Sequence, residues 1–303
     1  MQKLSINFCN YFIINSLVQH KSLAIAFYEL MFYQKFKPAP HLLHFVECFY
    51  VWECSILSSQ SIIIESPPSG FASMVFNYGT AYQVINPKTS TDFLVAPKNF
   101  MTGQATKSYQ LKFEGIIGMI GIVFRPAAVH TIFGLPMYEF TNERLDLRSV
   151  LGKEIDILEE RLMGEFDHNK KIEILSNYLT VSILKAKKSI DRTDYAANLI
   201  VESKGIVNIT ELMDELYVCR RQFERQFFNK VGVSPKYYAR VRRIGYLCSQ
   251  LASKKWNIDD WHDLIYQAGY YDQSHFIKEF TAFTGKSPSF YLKNNVELGN
   301  FLS

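Results

Sequence analysis

Residues 212–238 return 53 positions later in their apolar and turn residues. The offset carries Leu212 onto Ile265, Phe223 onto Phe276, Phe227 onto Phe280, Gly232 onto Gly285 and Ser234-Pro235 onto Ser287-Pro288. The shared residues are those that pack and turn a chain, whereas the residues between them differ, so two copies of one unit are expected with one shape and two surfaces. Such a chain suits the reading of two neighbouring targets.

The 303 residues, 48% hydrophobic and 20% charged, suffice for two or three domains with ordinary cores. No uninterrupted apolar run reaches the ~18 residues of a membrane span, and the apolar stretch at 11–18 is too short and too weakly flanked for a signal peptide. A cytoplasmic location without a membrane partner is therefore expected. The five cysteines are odd in number and scattered, with no CxxC pair, which fits neither a disulfide framework nor a zinc module. The net charge of +4 is modest for the whole chain, but residues 216–243 hold eight basic residues (Arg220, Arg221, Arg225, Lys230, Lys236, Arg240, Arg242, Arg243) against the single acid Glu224. A local cationic surface is expected there.

Hydrophobic patterning divides the chain into an α+β multidomain protein. Residues 1–30 lack a clean period or cap and read as an extension upstream of a start at Met31. Residues 31–150 alternate short β-rich runs, at 61–65, 72–76, 92–95 and 116–124, with Pro, Gly and Asn punctuation, as a small barrel or sandwich does. Pro126 then opens a short helix that Gly134 ends. Residues 151–190 turn helical, with Ile155, Leu158 and Leu162, then Ile172, Leu175 and Leu179, broken at Asp167-His168-Asn169; they read as a helical linker. Residues 191–295 form the all-α double unit, and 296–303 a tail.

In the first copy, 209–216 is a supporting helix, Tyr217-Val218 the turn, and 219–230 a second helix with Phe223 and Phe227 facing inward. Arg221 and Arg225 share the opposite side, with Arg220, Gln222 and Glu224 beside them. The major groove admits an α-helix, where arginine matches guanine O6 and N7, glutamine suits adenine and glutamate accepts from cytosine N4. One such helix could carry its charges for solvation alone; a second copy favours reading. There, 258–267 is the supporting helix, 268–271 the turn and Asp272 the N-cap. Phe276, Phe280 and Phe283 face inward, and Gln273, Ser274, His275 and Lys278 outward. Between the copies a long helix is expected over 235–255, about 27 Å across 18 residues and comparable with the ~34 Å between successive major grooves. Its Arg240, Arg242 and Arg243 either touch phosphate or pair with acids.

These residues resemble the AraC/XylS family of transcription regulators over about 195–292. Gly269-Tyr270-Tyr271-Asp272-Gln273-Ser274-His275-Phe276, with Phe280 and Gly285-Lys286-Ser287-Pro288, is similar to that family's second-unit signature, and Gly232-Val233-Ser234-Pro235 to the end of its first. The resemblance implies two helix-turn-helix units joined by a long helix, double-stranded DNA as partner, and Arg221, Glu224 and Arg225 at base-reading positions. Cys219 departs from the family's usual serine cap, Met213 from its small alanine, and Ser69 from an acid. Around Phe124-Arg125-Pro126-Ala127-Ala128 and Leu145-Asp146-Leu147 the β-rich segment is similar to the N-terminal regions of some members. That implies control through this domain by a small effector or through a homodimer, and RNA polymerase as a further partner.

The rival is a metal-dependent, cupin-like enzyme with an accessory nucleic-acid-binding domain, for which His41 and His44 near Cys48 are the best ligands. Their apolar, helix-like setting reads as structural. Neither a GxSxG elbow nor a phosphate-binding loop is present, so no catalytic residue, metal or cofactor is expected.

Overall fold

The computed structural model describes residues 15–16, 32–56, 61–85, 92–253 and 261–291. Eleven described strands form two antiparallel sheets: β1 (Asn15–Ser16), β2 (Phe32–Phe36), β3 (Val46–Ser55), β4 (Ser61–Ser66), β5 (Ala72–Asn77), β6 (Gln83–Ile85), β7 (Leu94–Val95), β8 (Asn99–Thr102), β9 (Tyr109–Glu114), β10 (Ile116–Phe124) and β11 (Arg144–Asp146). One sheet runs β1-β4-β9-β6-β7 and the other β11-β8-β5-β10-β3-β2. The period of two along β3 explains why its apolar run is unbroken. Tyr50 and Trp52 join the core between the sheets, while Phe49 and Val51 join a second core on the outer face. Both faces are buried, so both carry apolar residues.

Helices cover that outer face. They are α1 (Ala128–Phe133), closed by Gly134 at φ 75°, then α2 (Leu147–Leu151), α3 (Glu154–Met163) and α4 (His168–Lys185). Asp167 caps α4 by accepting from the Lys170 backbone N–H. Ile155, Leu158, Leu162, Ile172, Leu175 and Leu179 of the expected linker pack into one cluster with Phe49, Phe76 and Ile122. The segment is thus packed on the sandwich, because its apolar stripe meets a sheet face that needs cover. Of the expected extension, Asn15 and Ser16 pair with Glu65 and Ile64 and so add a strand to the sandwich. The start at Met31 and the tail at 296–303 lie outside the described residues.

The C-terminal part holds α5 (Arg192–Glu202), α6 (Ile209–Glu215), α7 (Arg220–Val231), α8 (Pro235–Ser253), α9 (Trp261–Gln267) and α10 (Gln273–Thr284). Phe223 and Phe227 of α7 pack with Leu212, Met213 and Tyr238. Phe276, Phe280 and Phe283 of α10 pack with Leu264, Ile265, Ile244 and Leu247. The two units therefore stand on opposite ends of α8. Its 19 described residues span roughly 28 Å at 1.5 Å per residue; the rest of the helix expected to 255 lies outside the described residues.

The repeat is not a uniform offset. The recognition helices α7 and α10 correspond at 53, but the supporting helices α6 and α9 correspond at 52. Leu212 therefore matches Leu264 rather than Ile265. The backbone agrees: Val218 N–H bonds to Met213 O as Tyr270 N–H bonds to Ile265 O. The second turn contains one additional residue, Tyr271, which is fully solvent-exposed. Matching apolar letters at one offset could not reveal this, because Met213 and Ile265 are both buried beside the leucines.

Two seams join the sandwich to the C-terminal helices. At the first, Thr141 Oγ1 donates to Gly232 O at 2.9 Å, and the rings of Tyr138 and Phe228 stack at 5.4 Å. At the second, Tyr238 OH donates to Gly70 O at 2.7 Å, Tyr237 OH to Thr106 O at 2.9 Å, and Lys286 pairs with Glu65.

Candidate nucleic-acid interface

Each recognition helix is oriented by its phenylalanines. Phe223, Phe227, Phe276 and Phe280 are fully buried, which turns the opposite stripe of α7 and α10 to solvent. Arg220, Arg221, Gln222, Glu224 and Arg225 on the first, and Gln273, Ser274, His275 and Lys278 on the second, are all exposed. Arg220 Nε bonds to Glu224 Oε1 at 3.0 Å along the helix, a weak exposed pair that leaves both groups displaceable. His275 Nε2 lies 3.5 Å from Glu279 Oε2, and its ring meets Tyr270 edge-on.

The helix starts differ between copies. Asp272 accepts the His275 backbone N–H at 2.8 Å. Cys219, with extended backbone at φ −67° and ψ 129°, makes no side-chain cap bond, because a thiol is a poor acceptor in that position. Both helices end on left-handed glycines, Gly232 and Gly285, at φ 92° and 73°.

The cationic surface is smaller than the sequence count implies. Lys230 is buried between Asp191 Oδ2 at 2.8 Å and Asp194 Oδ2 at 2.5 Å. Arg240 pairs with the buried Glu279 at 2.8 Å. Arg242 donates to Ser69 O and lies 4.1 Å from the Phe71 ring centroid, while Arg243 reaches Gly269 O and Gly205 O at 3.4 Å. Arg240 thus takes the acid-pairing alternative, and Arg242 and Arg243 face protein carbonyls and rings. Arg221, Arg225 and Lys236 remain on the surface together with Arg220. Burial depresses the Arg242 guanidinium. Burial also pushes the Asp191 carboxyl upward, yet the Lys230 ammonium and the Thr193 backbone N–H hold it below the ordinary aspartate range.

The N-terminal domain touches the same helix that carries the exposed arginines. Phe228 and Asn229 lie seven and eight residues after Arg221, on the same side of α7. Phe228 stacks on Tyr138, and Asn229 Nδ2 lies 3.4 Å from His130 Nε2. His130 Nδ1 contacts Leu135 O at 2.7 Å and Lys188 Nζ contacts Nε2 at 2.7 Å, so the proton sits on Nδ1. Burial, reinforced by Lys188 and Lys230, lowers the His130 pKa and keeps the ring neutral.

The sandwich holds a half-open cavity of about 140 Å³ lined by Lys35, Trp52, Ser69, Phe71, Tyr109 and Arg144 among others. Apart from Ser69, sequence reading missed these residues, since they share no motif. Of the histidines weighed for a metal, His41 bonds through Nε2 to Thr180 Oγ1 at 2.9 Å. Among the described residues, no group of three His, Cys, Asp or Glu side chains could hold a metal ion. Cys48, Cys54 and Cys248 are buried and Cys219 is exposed. No described helix is long and apolar enough to cross a membrane.

Residues 34–146 match a family described as "Domain of unknown function (DUF6597)", and residues 212–294 match the family "Helix-turn-helix domain". No curated protein matches the chain in sequence. Among solved structures, the chain is similar to ToxT from Vibrio cholerae O395, at 15% identity, 81% coverage of this chain, 96% of that chain and a TM-score of 0.41. It is also similar to unsaturated fatty acid bound wild-type ToxT from Vibrio cholerae strain SCE256, at 14% identity, 80% and 93% coverage and 0.41. The AraC-like transcriptional activator CuxR is a further match at 12% identity, 75% and 92% coverage and 0.25. The helix-turn-helix match falls on both repeated units, so residues 212–294 are a helix-turn-helix domain.

Proposed function

We propose that the protein reads two adjacent major grooves, with Arg221, Gln222, Glu224 and Arg225 facing bases from α7 and Gln273, Ser274, His275 and Lys278 from α10. Arg220 and Lys236 supply phosphate contacts. The observation that carries this reading is the orientation of the two helices, whose Phe223, Phe227, Phe276, Phe280 and Phe283 are buried while these eight polar residues are exposed. Phosphate contacts set affinity and register, and base edges set sequence. The sandwich holds the reader through the two seams, and a small effector that favours one arrangement over another shifts DNA affinity by that difference. No catalytic residue is assigned. The protein works in the cytoplasm, as a homodimer where its sites are paired, and engages RNA polymerase at the promoters it controls.

The test is duplex binding by the full chain, with sites selected from a random pool and affinities measured against salt. Arg221→Ala or Arg225→Ala weakens binding by about 1–3 kcal/mol and relaxes selectivity at one base pair, while Lys236→Ala lowers affinity for all sequences and reduces the salt slope by about one. Equal affinity for selected and random duplexes, or indifference to both arginine changes, overturns the reading.

A further inference from the structure

The solvent side of α10 is not wholly polar. Gln273, Ser274, His275, Lys278 and Thr281 are exposed there, and among them stands Ile277, which is 40% exposed. At 3.6 residues per turn, Ile277 lies one turn after Gln273 and Ser274 and on their side of the helix. Among the described residues it joins neither the buried cluster of Phe276, Phe280 and Phe283 nor the side chains packed against that cluster. The helix cannot rotate to hide it. Glu279, two residues on, is buried and pairs with Arg240 at 2.8 Å, and turning Ile277 inward would bring that carboxylate and the phenylalanine rings out. Lone exposed apolar residues are common on protein surfaces; this one is set inside the stripe that faces bases in the reading above.

The first copy shows what the position could have held. The offset of 53 between the recognition helices sets Ile277 where α7 has Glu224, and Thr281 where α7 has Phe228. Each solvent stripe therefore carries one large apolar side chain. In α7 it is covered, because Phe228 stacks on Tyr138 of the sandwich. In α10 it is bare, between groups that can hydrogen-bond to base edges. A major groove offers an apolar side chain one matching feature, the C5-methyl group of thymine, whereas cytosine presents an N4 donor that suits a carboxylate.

Resting on the two-groove reading above, we infer that Ile277 determines specificity in the second unit by packing on the C5-methyl group of a thymine. The two units then differ at one equivalent position in the pyrimidine they accept: Glu224 takes the N4 donor of cytosine, and Ile277 the methyl group of thymine. The contact removes apolar surface of both partners from water, and a base without that methyl group leaves part of Ile277 exposed.

Replacement of thymine by uracil tests the contact, since it removes the C5-methyl group and leaves base pairing unchanged. Duplexes selected from a random pool by the full chain are re-synthesised with each thymine replaced in turn. At one thymine the replacement weakens binding about fourfold, the factor expected for one buried methyl group. In Ile277→Ala and Ile277→Ser the same replacement has no effect, and both variants keep the wild-type melting profile because the side chain is exposed. A site at which every uracil is tolerated, or a fourfold loss that persists in both variants, overturns the proposal. Selected and random duplexes are compared alongside. Equal affinity for the two strikes the DNA reading and this contact with it, whereas selective binding that is indifferent to every uracil strikes the methyl contact alone.

Discussion

Tyr217 holds a left-handed backbone conformation, φ 50°, at the place where the second copy has Gly269 at φ 73°. The side chain is exposed and gains little there, while a non-glycine residue in this region is strained by about 1–2 kcal/mol. Tyr217→Gly is therefore expected to stabilise the first unit, by less than about 1 kcal/mol once the added freedom of the unfolded glycine is subtracted. Two residues on, Cys219→Ser gives α7 the cap that Asp272 gives α10, worth about 0.5–1 kcal/mol. Urea unfolding of both variants measures these gains; a loss in the serine variant would mean that the first-turn N–H groups already have partners. The cap and the turn were legible in the sequence because they depend on neighbours within four residues. The additional turn residue Tyr271 was not, since only the backbone bonds reveal which leucine it displaces.

Among elements, the ion cluster at the root of α7 ties three helices together. Lys230 of α7 meets Asp194 of α5, and Asp194 Oδ1 accepts from Thr131 Oγ1 of α1 at 2.5 Å. Removing only the cation leaves buried carboxylate without its partner, so Lys230→Met is expected to cost about 3–5 kcal/mol at neutral pH. The pH sign follows from Asp191, whose carboxyl is held below its unfolded value. Its contribution is complete above the unfolded pKa of about 4 and is lost as pH falls through the lower folded value. Wild type thus loses this stability below about pH 4, and Lys230→Met loses less of it. Chemical denaturation at pH 7 and pH 3.5 checks both; an equal loss in the two proteins would remove Lys230 as the cause. In sequence Lys230 counted as surface charge, because its acids lie more than 30 residues upstream.

For the whole molecule, the reader is held by its connecting helix as well as by its recognition helices. Tyr238 is buried and donates across to Gly70 O, and burial raises its pKa so that the phenol stays neutral. Tyr238→Phe keeps the packing but strands that carbonyl, at about 1–3 kcal/mol. Calorimetry is expected to show a lower transition for the variant, separating toward two steps as sandwich and reader uncouple; an unchanged melt would mean that this seam carries no coupling. Alternation of apolar residues made the β-rich domain legible, and the reading faces followed from a 3.6-residue period with phenylalanines four apart. The cavity did not, because Lys35 and Arg144 line one space only through the closing of the two sheet edges.

Sequence alone determined the two repeated helical units, their inward and outward stripes and the Asp272 cap, since periodicity and capping are local and a single turn of helix expresses them. Tertiary structure alone decided which of eight neighbouring cations face solvent: Lys230, Arg240 and Arg242 are taken up by Asp194, Glu279 and Ser69. Those partners are distant in sequence, and a charge is drawn inside only where a fold delivers an acceptor to offset its lost hydration.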